Sequence, residues 1–255
     1  MLKKELKTLL NSKVYLFILI LPFILTFFMS EGTKNYLLEN RQTLNTVETK
    51  VEIVPYDGKI LDAQTQFAVS ELSFILMMSA SLLGLNLFEE RKLHTWDRIV
   101  AKNELLTIKI LLHYIFDILM ILVSIFLFNI VLNLKFPISS ILLFATIPFM
   151  SLTFGAAIAL IAANRTMVSN IIMLVVMLLG YLGGALSLTS VLANTKFMNI
   201  LMNFSPLTIV NRLIFRQILE LFEPMQLLPW LMVNLIVGTL SIAIIRKQVK
   251  YGSIL

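Results

Sequence analysis

Lys109, His113 and Asp117 stand four residues apart inside one apolar stretch, so on a helix they share a face. An amine, an imidazole and a carboxyl in that order could relay a proton, or His113 and Asp117 could satisfy each other as a pair inside a bundle. The pair is the expectation. Asp117 lies about 12 residues into its stretch, roughly 18 Å of helical rise, near the middle of a bilayer. Glu71, near the outer end of another apolar stretch, is expected to reach interfacial water.

The densest charged segment is Phe88–Asn103, FEERKLHTWDRIVAKN. A helix from Glu89 onward would carry Glu89 and Glu90 in its first turn, where anions suit the helix dipole, and Arg91, Thr95, Asp97 and Arg98 along its length. Such a short amphipathic helix, residues 89–104, can dock in a groove on a partner protein. Phe74, Met77, Met78, Met173, Met177 and Tyr181 offer a soft lining that adapts to varied apolar partners, although core or lipid-facing packing is the default for such residues.

Other chemistry is excluded by composition. There is no cysteine, hence no disulfide and no thiolate metal site, and the two histidines, His94 and His113, are too few for a histidine-rich one. No metal site is expected. No Gly-x-x-x-x-Gly-Lys-Ser/Thr loop exists to cradle phosphates, and no Gly-x-Ser-x-Gly or His-Glu-x-x-His spacing appears, so no catalytic residue is assigned.

The elements that carry these residues are apolar runs. Of the 255 residues, 58% are hydrophobic and only 14% charged, against about 25% charged in a soluble domain. Six stretches, about 14–30, 67–88, 105–134, 140–163, 167–192 and 227–245, reach or approach the roughly 20 residues that cross a ~30 Å hydrocarbon core. Backbone groups in lipid must be paired within their own segment, so these are expected as helices. The fold class is therefore an all-α membrane protein of one domain, residues 1–255, with six transmembrane helices.

Lys3, Lys4, Lys7 and Lys13 precede the first stretch, Arg91, Lys92, Arg98 and Lys102 follow the second, and Arg246, Lys247 and Lys250 follow the last. With six spans all three groups, and Arg165, fall on one side, which the positive-inside rule makes cytoplasmic. The net charge of +6 is read as this bias, and nucleic acid is not an expected partner. The first apolar run is too long, and lacks the small-residue site, for a cleavable leader.

Three non-spanning pieces remain. Residues 1–13 place Leu2, Leu6, Leu9 and Leu10 opposite lysines, as an interfacial helix lying on membrane lipid. Residues 31–66 form a polar external loop with a Pro55-Tyr56-Asp57-Gly58 turn signal. Residues 193–226 read as two short amphipathic helices broken at Ser205-Pro206, re-entrant on the external side. Ser151, Gly155, Ala159 and Ala163 recur every four residues, as do Gly180 and Gly184, spacing that lets helix backbones approach closely.

Taken in order, these features resemble the permease subunit of an ATP-binding cassette transporter of the ABC-2 type. In that family the loop after the second span reads approximately Glu-Arg-Glu-x-Gly-Thr-x-Glu-Arg-Leu-x-x-x-Pro. Glu90, Arg91, Thr95, Asp97 and Arg98 match, while His94 replaces the usual Gly and Asn103 the usual Pro. The opening KKELKTLLNSKVYLFILILPF, with its early Pro22, resembles the family's basic amphipathic start, and NFSPLTIVNRLIF (203–215) its Pro-Leu-Thr segment before the last span. Gly183-Gly184 resembles the small-residue end of its fifth span without the following Pro.

The resemblance implies an exporter in a bacterial cell membrane, multi-pass with both termini cytoplasmic. A second permease, identical or related, would complete the path. A separate ATPase would dock on the coupling helix and carry the ATP and Mg, with no cofactor bound by this chain. A largely apolar interior with few charges favours amphipathic or lipophilic cargo, and the Lys-, Asn- and Ile-rich usage suggests an AT-rich Gram-positive bacterium, where exporters of the family resembled often move a toxin or antimicrobial peptide or an antibiotic. The rival expectation is a stand-alone secondary transporter or channel using Lys109, His113 and Asp117.

Overall fold

The computed structural model describes residues 13–43, 55–56, 59–92, 102–192 and 195–251. All of the expected interfacial helix except Lys13 lies outside them. In chain order the elements are α1 Lys13–Thr43, β1 Pro55–Tyr56, β2 Lys59–Ile60, α2 Ala63–Lys92, α3 Lys102–Leu132, α4 Ile138–Ile161, α5 Arg165–Gly183, α6 Thr189–Leu192, α7 Lys196–Phe204 and α8 Pro206–Ile218. A 3-10 turn, Pro224–Leu227, then leads into α9 Leu228–Tyr251. α1 to α5, and α9 with the turn before it, are the six helices long and apolar enough to cross a membrane. β1 and β2 form a minimal antiparallel hairpin, Pro55 opposite Ile60 and Tyr56 opposite Lys59, on the Pro55–Gly58 turn signal.

Three helices depart from their expected bounds in ways that matter. α1 continues to Thr43, so the start of the expected loop 31–66 is helical. α2 is longer at both ends than the apolar run 67–88, because the polar residues that flank the run find partners on neighbouring helices. α5 stops at Gly183, well before Leu192. Its terminus is a Schellman motif: Gly184 is left-handed at φ 88°, its N–H bonds the Tyr181 carbonyl at 3.2 Å, and the N–H of Ala185 bonds that of Gly180 at 3.0 Å. A Cβ at Gly184 would lie 2.6 Å from Thr189 Cγ2, so glycine is required there by conformation and by space.

Ser205 and Pro206 break the next segment as expected. The Ser205 hydroxyl accepts from the N–H of Thr208 and Pro206 takes the first helical position, which ends α7 and starts α8.

α2 is the central helix. It packs on α1, α3, α4, α5 and α8, and 83% of its apolar window is buried, against 28% for α3 and 22% for the last span. Its closest partner is α4, which runs parallel to it. Leu76 meets Ser151, Ala80 meets Gly155 and Arg91 meets Ala162. The small-residue stripe is thus the surface α4 turns to α2. A Cβ on Gly155 would come within 2.3 Å of the Ala80 carbonyl oxygen, and one on Gly84 within 3.1 Å of the Gly155 oxygen. Ala163 lies past the end of α4 and is exposed. At the far end of the bundle Trp230 donates its Nε1–H to Thr146 Oγ1 at 2.8 Å, fixing α9 to α4.

Candidate functional site

The charged segment is rooted in three helices. Glu89, Glu90, Arg91 and Lys92 form the last turn of α2, not the first turn of a separate helix as expected. Apolar periodicity stops at Phe88, but the helix continues because its final turn is tied down on every side. Carboxylates are unfavourable at this negative end of a dipole, and cations offset them. Lys109 of α3 meets Glu90 at 2.7 Å, with side-chain exposures of 6% and 27%. Arg165, at the start of α5, meets Glu89 at 3.0 Å in the open, at 67% and 48%.

Arg91 reaches the end of α4, where Nη1 donates to the carbonyls of Leu160, Ala162 and Ala159 at 2.8, 3.2 and 3.4 Å. Those carbonyls have no helical donor, and a guanidinium placed there both bonds them and neutralises the dipole. Between the end of α2 and the α4–α5 turn lies a recess of about 370 Å³ lined by Phe88, Arg91, Lys92 and Ala162–Arg165. Thr95, Asp97 and Arg98, with His94, lie outside the described residues.

Beneath this elbow a polar seam runs between α1, α2 and α3. The expected His113–Asp117 pair does not form. His113 Nδ1 bonds the Lys109 carbonyl at 2.9 Å and Nε2 meets the Tyr15 hydroxyl at 3.1 Å. Asn86 donates to that same hydroxyl oxygen at 3.3 Å. Side chains on a helix lean toward its N-terminus, so His113 reaches back one turn toward Lys109 and away from Asp117. A carbonyl only accepts, so Nδ1 carries the proton in the neutral ring, and the sense of the chain is Asn86 to Tyr15 to His113 to the Lys109 carbonyl. Asp117 is buried, and neither of its carboxyl oxygens has a hydrogen-bond partner among the described residues. Glu71 is also buried rather than at the interface, with Oε2 unpartnered among the described residues.

The six lining residues are not brought together. Phe74 and Met77 are buried in the core, with the Phe74 ring filling the space a Cβ on Gly180 would take. Met78 and Met173 are half-buried, and Met177 and Tyr181 are on the exposed face of α5. An apolar recess of about 330 Å³ lies instead between Phe28, Met29, Phe67 and Leu186.

A comparison with protein-family models, curated proteins and solved structures finds no match.

Several residues of the site are not found by reading charge alone. Tyr15 and Asn86 are single polar residues in apolar runs, and that isolation is their signal. Ala80 and Gly84 have the four-residue small spacing of the stripe they face. Ser70, Thr208 and Asn211 dock α8 under the broken end of α5: Thr208 donates to the Leu182 carbonyl at 2.8 Å, and Asn211 and Ser70 donate to that of Gly183 at 2.8 and 3.0 Å. The Pro-Leu-Thr segment therefore supplies the partners for carbonyls that the Schellman turn leaves at the end of α5.

Proposed function

We propose that this chain is the membrane-spanning permease subunit of an ATP-binding cassette exporter of the ABC-2 type. It works with a second permease, identical or related, in a bacterial cell membrane with both termini cytoplasmic. Its cargo is amphipathic or lipophilic, a toxin or antimicrobial peptide or an antibiotic. Residues 89–104 are the docking segment for a separate ATPase, and α7 and α8 lie re-entrant on the external side. ATP and magnesium belong to that partner, since this sequence has no phosphate-cradling loop.

One observation supports the reading most directly. Within a single turn of the elbow, α2 is tied to α3 by Glu90–Lys109, to the end of α4 by Arg91 and to α5 by Glu89–Arg165. A displacement of the elbow reaches four helices at once. The exposed Glu89 pair contributes little, but Arg91 and the shielded Glu90 pair make the connection stiff. Coupling requires an element with two arrangements that both sites bias, and the central helix α2 is that element.

The test is purification of the chain from its native membrane with its ATPase, followed by transport and ATP hydrolysis in proteoliposomes. Glu90→Ala and Asp97→Ala should lower transport-linked hydrolysis while insertion survives. Uphill flux by the chain alone, with no companion ATPase, refutes the proposal and favours the secondary-transporter rival.

A further inference from the structure

The recess beside the elbow is walled by three cations from two helices, Arg91 and Lys92 at the end of α2 and Arg165 at the start of α5. Among the described residues, Glu89 is the one carboxylate paired with any of them. Arg91 commits Nη1 to the carbonyls that end α4, which leaves the Nε and Nη2 donors of its fork. Lys92 is exposed and has no partner among the described residues. Arg165 meets Glu89 in the open, a pairing worth little, so its guanidinium can turn to a second anion. The backbone adds two more donors. Asn164 caps α5, accepting from the N–H of Met167 on its side chain at 2.7 Å and from that of Val168 on its carbonyl at 3.2 Å. The N–H groups of Arg165 and Thr166, the first two of this 19-residue helix, have no acceptor among the described residues. Unpaired donors at the positive end of a helix, ringed by cations, suit an anion.

What lies beside the recess selects the anion. Ala162–Arg165 is the turn between two apolar helices of spanning length, so the recess sits where the bundle leaves the hydrocarbon. Ile161 and Met167 flank that turn and are exposed. From Met167 an exposed apolar stripe continues along α5 through Leu174 and Leu178, spaced by seven and four residues and therefore on one face. A free phosphate would use the cations and leave the stripe idle. A molecule with an anionic head and apolar tails uses both, with the head in the recess and the tails along α5. Basic pockets between spans at a membrane face hold anionic lipid head groups by this combination.

We propose that this recess binds one anionic lipid. Its phosphate takes the Lys92 ammonium, the remaining donors of Arg91 and the first N–H groups of α5, and shares Arg165 with Glu89. Its acyl chains lie on Met167, Leu174 and Leu178. The bound lipid joins the end of α2 to the start of α5, the two elements that the weak Glu89–Arg165 pair also joins, and so braces the elbow. The site needs a bilayer and no ATPase, so it stands or falls separately from the permease reading.

The experiment is native mass spectrometry of the full chain in detergent, titrated with phosphatidylglycerol or phosphatidylcholine. One phosphatidylglycerol should be retained per chain, and phosphatidylcholine should not. Lys92→Gln and Arg165→Gln should each weaken retention about fivefold, the effect of one cation at an anionic head group. Arg91 is left intact because it also holds the end of α4. Ala163→Phe, at an exposed position lining the recess, fills the space without changing charge and should abolish retention. Lys247→Gln removes an exposed cation of α9 that does not line the recess, and should leave retention unchanged. Three results would each overturn the site: equal retention of the two lipids, a loss in Lys247→Gln as large as in Lys92→Gln, or displacement of the lipid by excess inorganic phosphate, which would make it a free-anion site.

Discussion

The α2–α4 seam makes a sharp prediction at Gly155. Replacing it by Ala adds one methyl whose centre would stand 2.3 Å from the Ala80 carbonyl oxygen and 2.8 Å from Ala80 Cα. Ordinary contact begins at 3.4 Å, so the shortfalls are 3.4 − 2.3 = 1.1 Å and 3.4 − 2.8 = 0.6 Å. Both atoms are backbone and cannot rotate aside, so the helices must separate by about 1 Å. That separation also breaks Ser151 Oγ to Leu76 O, now 3.1 Å, and the Ser79–Ser151 contact, now 3.2 Å. Overpacking costs about 1–3 kcal/mol, and two interhelical hydrogen bonds in a membrane add about 0.6 kcal/mol each. Against this, Ala gains about 0.8–1 kcal/mol over Gly in helix propensity. The net expectation is a loss of about 1–3 kcal/mol. Reversible unfolding in mixed micelles measures it. Gly32→Ala is the control, because nothing lies within 4 Å of a Cβ there, and that variant should be as stable as the parent or slightly more so. If Gly155→Ala matched Gly32→Ala, the close backbone contact would be wrong.

Three further outcomes follow from the same geometry. Arg91→Gln should cost about 1.5–3 kcal/mol, the worth of hydrogen bonds to a charged donor, and should raise amide exchange around residues 159–163. Glu89→Ala should cost less than about 1 kcal/mol, an effect that salt abolishes, whereas Glu90→Ala should cost more and resist salt because Lys109 is shielded, a contrast read from stability curves at two ionic strengths. Trp96→Phe leaves Trp230 as the one tryptophan; its ring is fully buried and its emission should be blue-shifted, then broaden or shift when Thr146→Val removes its acceptor.

Helix number and fold class were legible because hydrocarbon leaves the backbone no alternative to helix over long apolar runs. Ends were less so. Residues 184–192 stay largely apolar, so hydropathy carries on across them, while Gly183 and Gly184 stop α5 by conformation. α2 overruns its apolar core because Gln66 accepts from Thr189 at one end and Glu90 meets Lys109 at the other. Those partners are far along the chain, and no local pattern announces them.

At the candidate site, the residue types could be read and the pairings could not. Spacing of four residues placed Lys109, His113 and Asp117 on one face correctly, but a face does not say which neighbour each side chain meets. Lys109 turned to Glu90 and His113 to Tyr15, and the Asp117 carboxyl oxygens are left with no hydrogen-bond partner among the described residues. The methionine and aromatic set is spread over buried and exposed faces for a related reason. Position 180 faces Phe74 of α2 and Val176 is buried, while residues 177 and 181, one step on from each, are rotated by about 100° onto the outer surface.

The parallel run of α2 and α4, with residue 76 beside 151 and 80 beside 155, also restricts how the gene can change in length. Deleting one residue between Leu152 and Phe154 would bring Ala156 to the place of Gly155 and Leu160 to that of Ala159, setting a branched side chain where two main chains nearly touch. The connector at 133–137 carries no such register. Insertions and deletions should therefore be tolerated there, while the two helices accept substitutions only in frame.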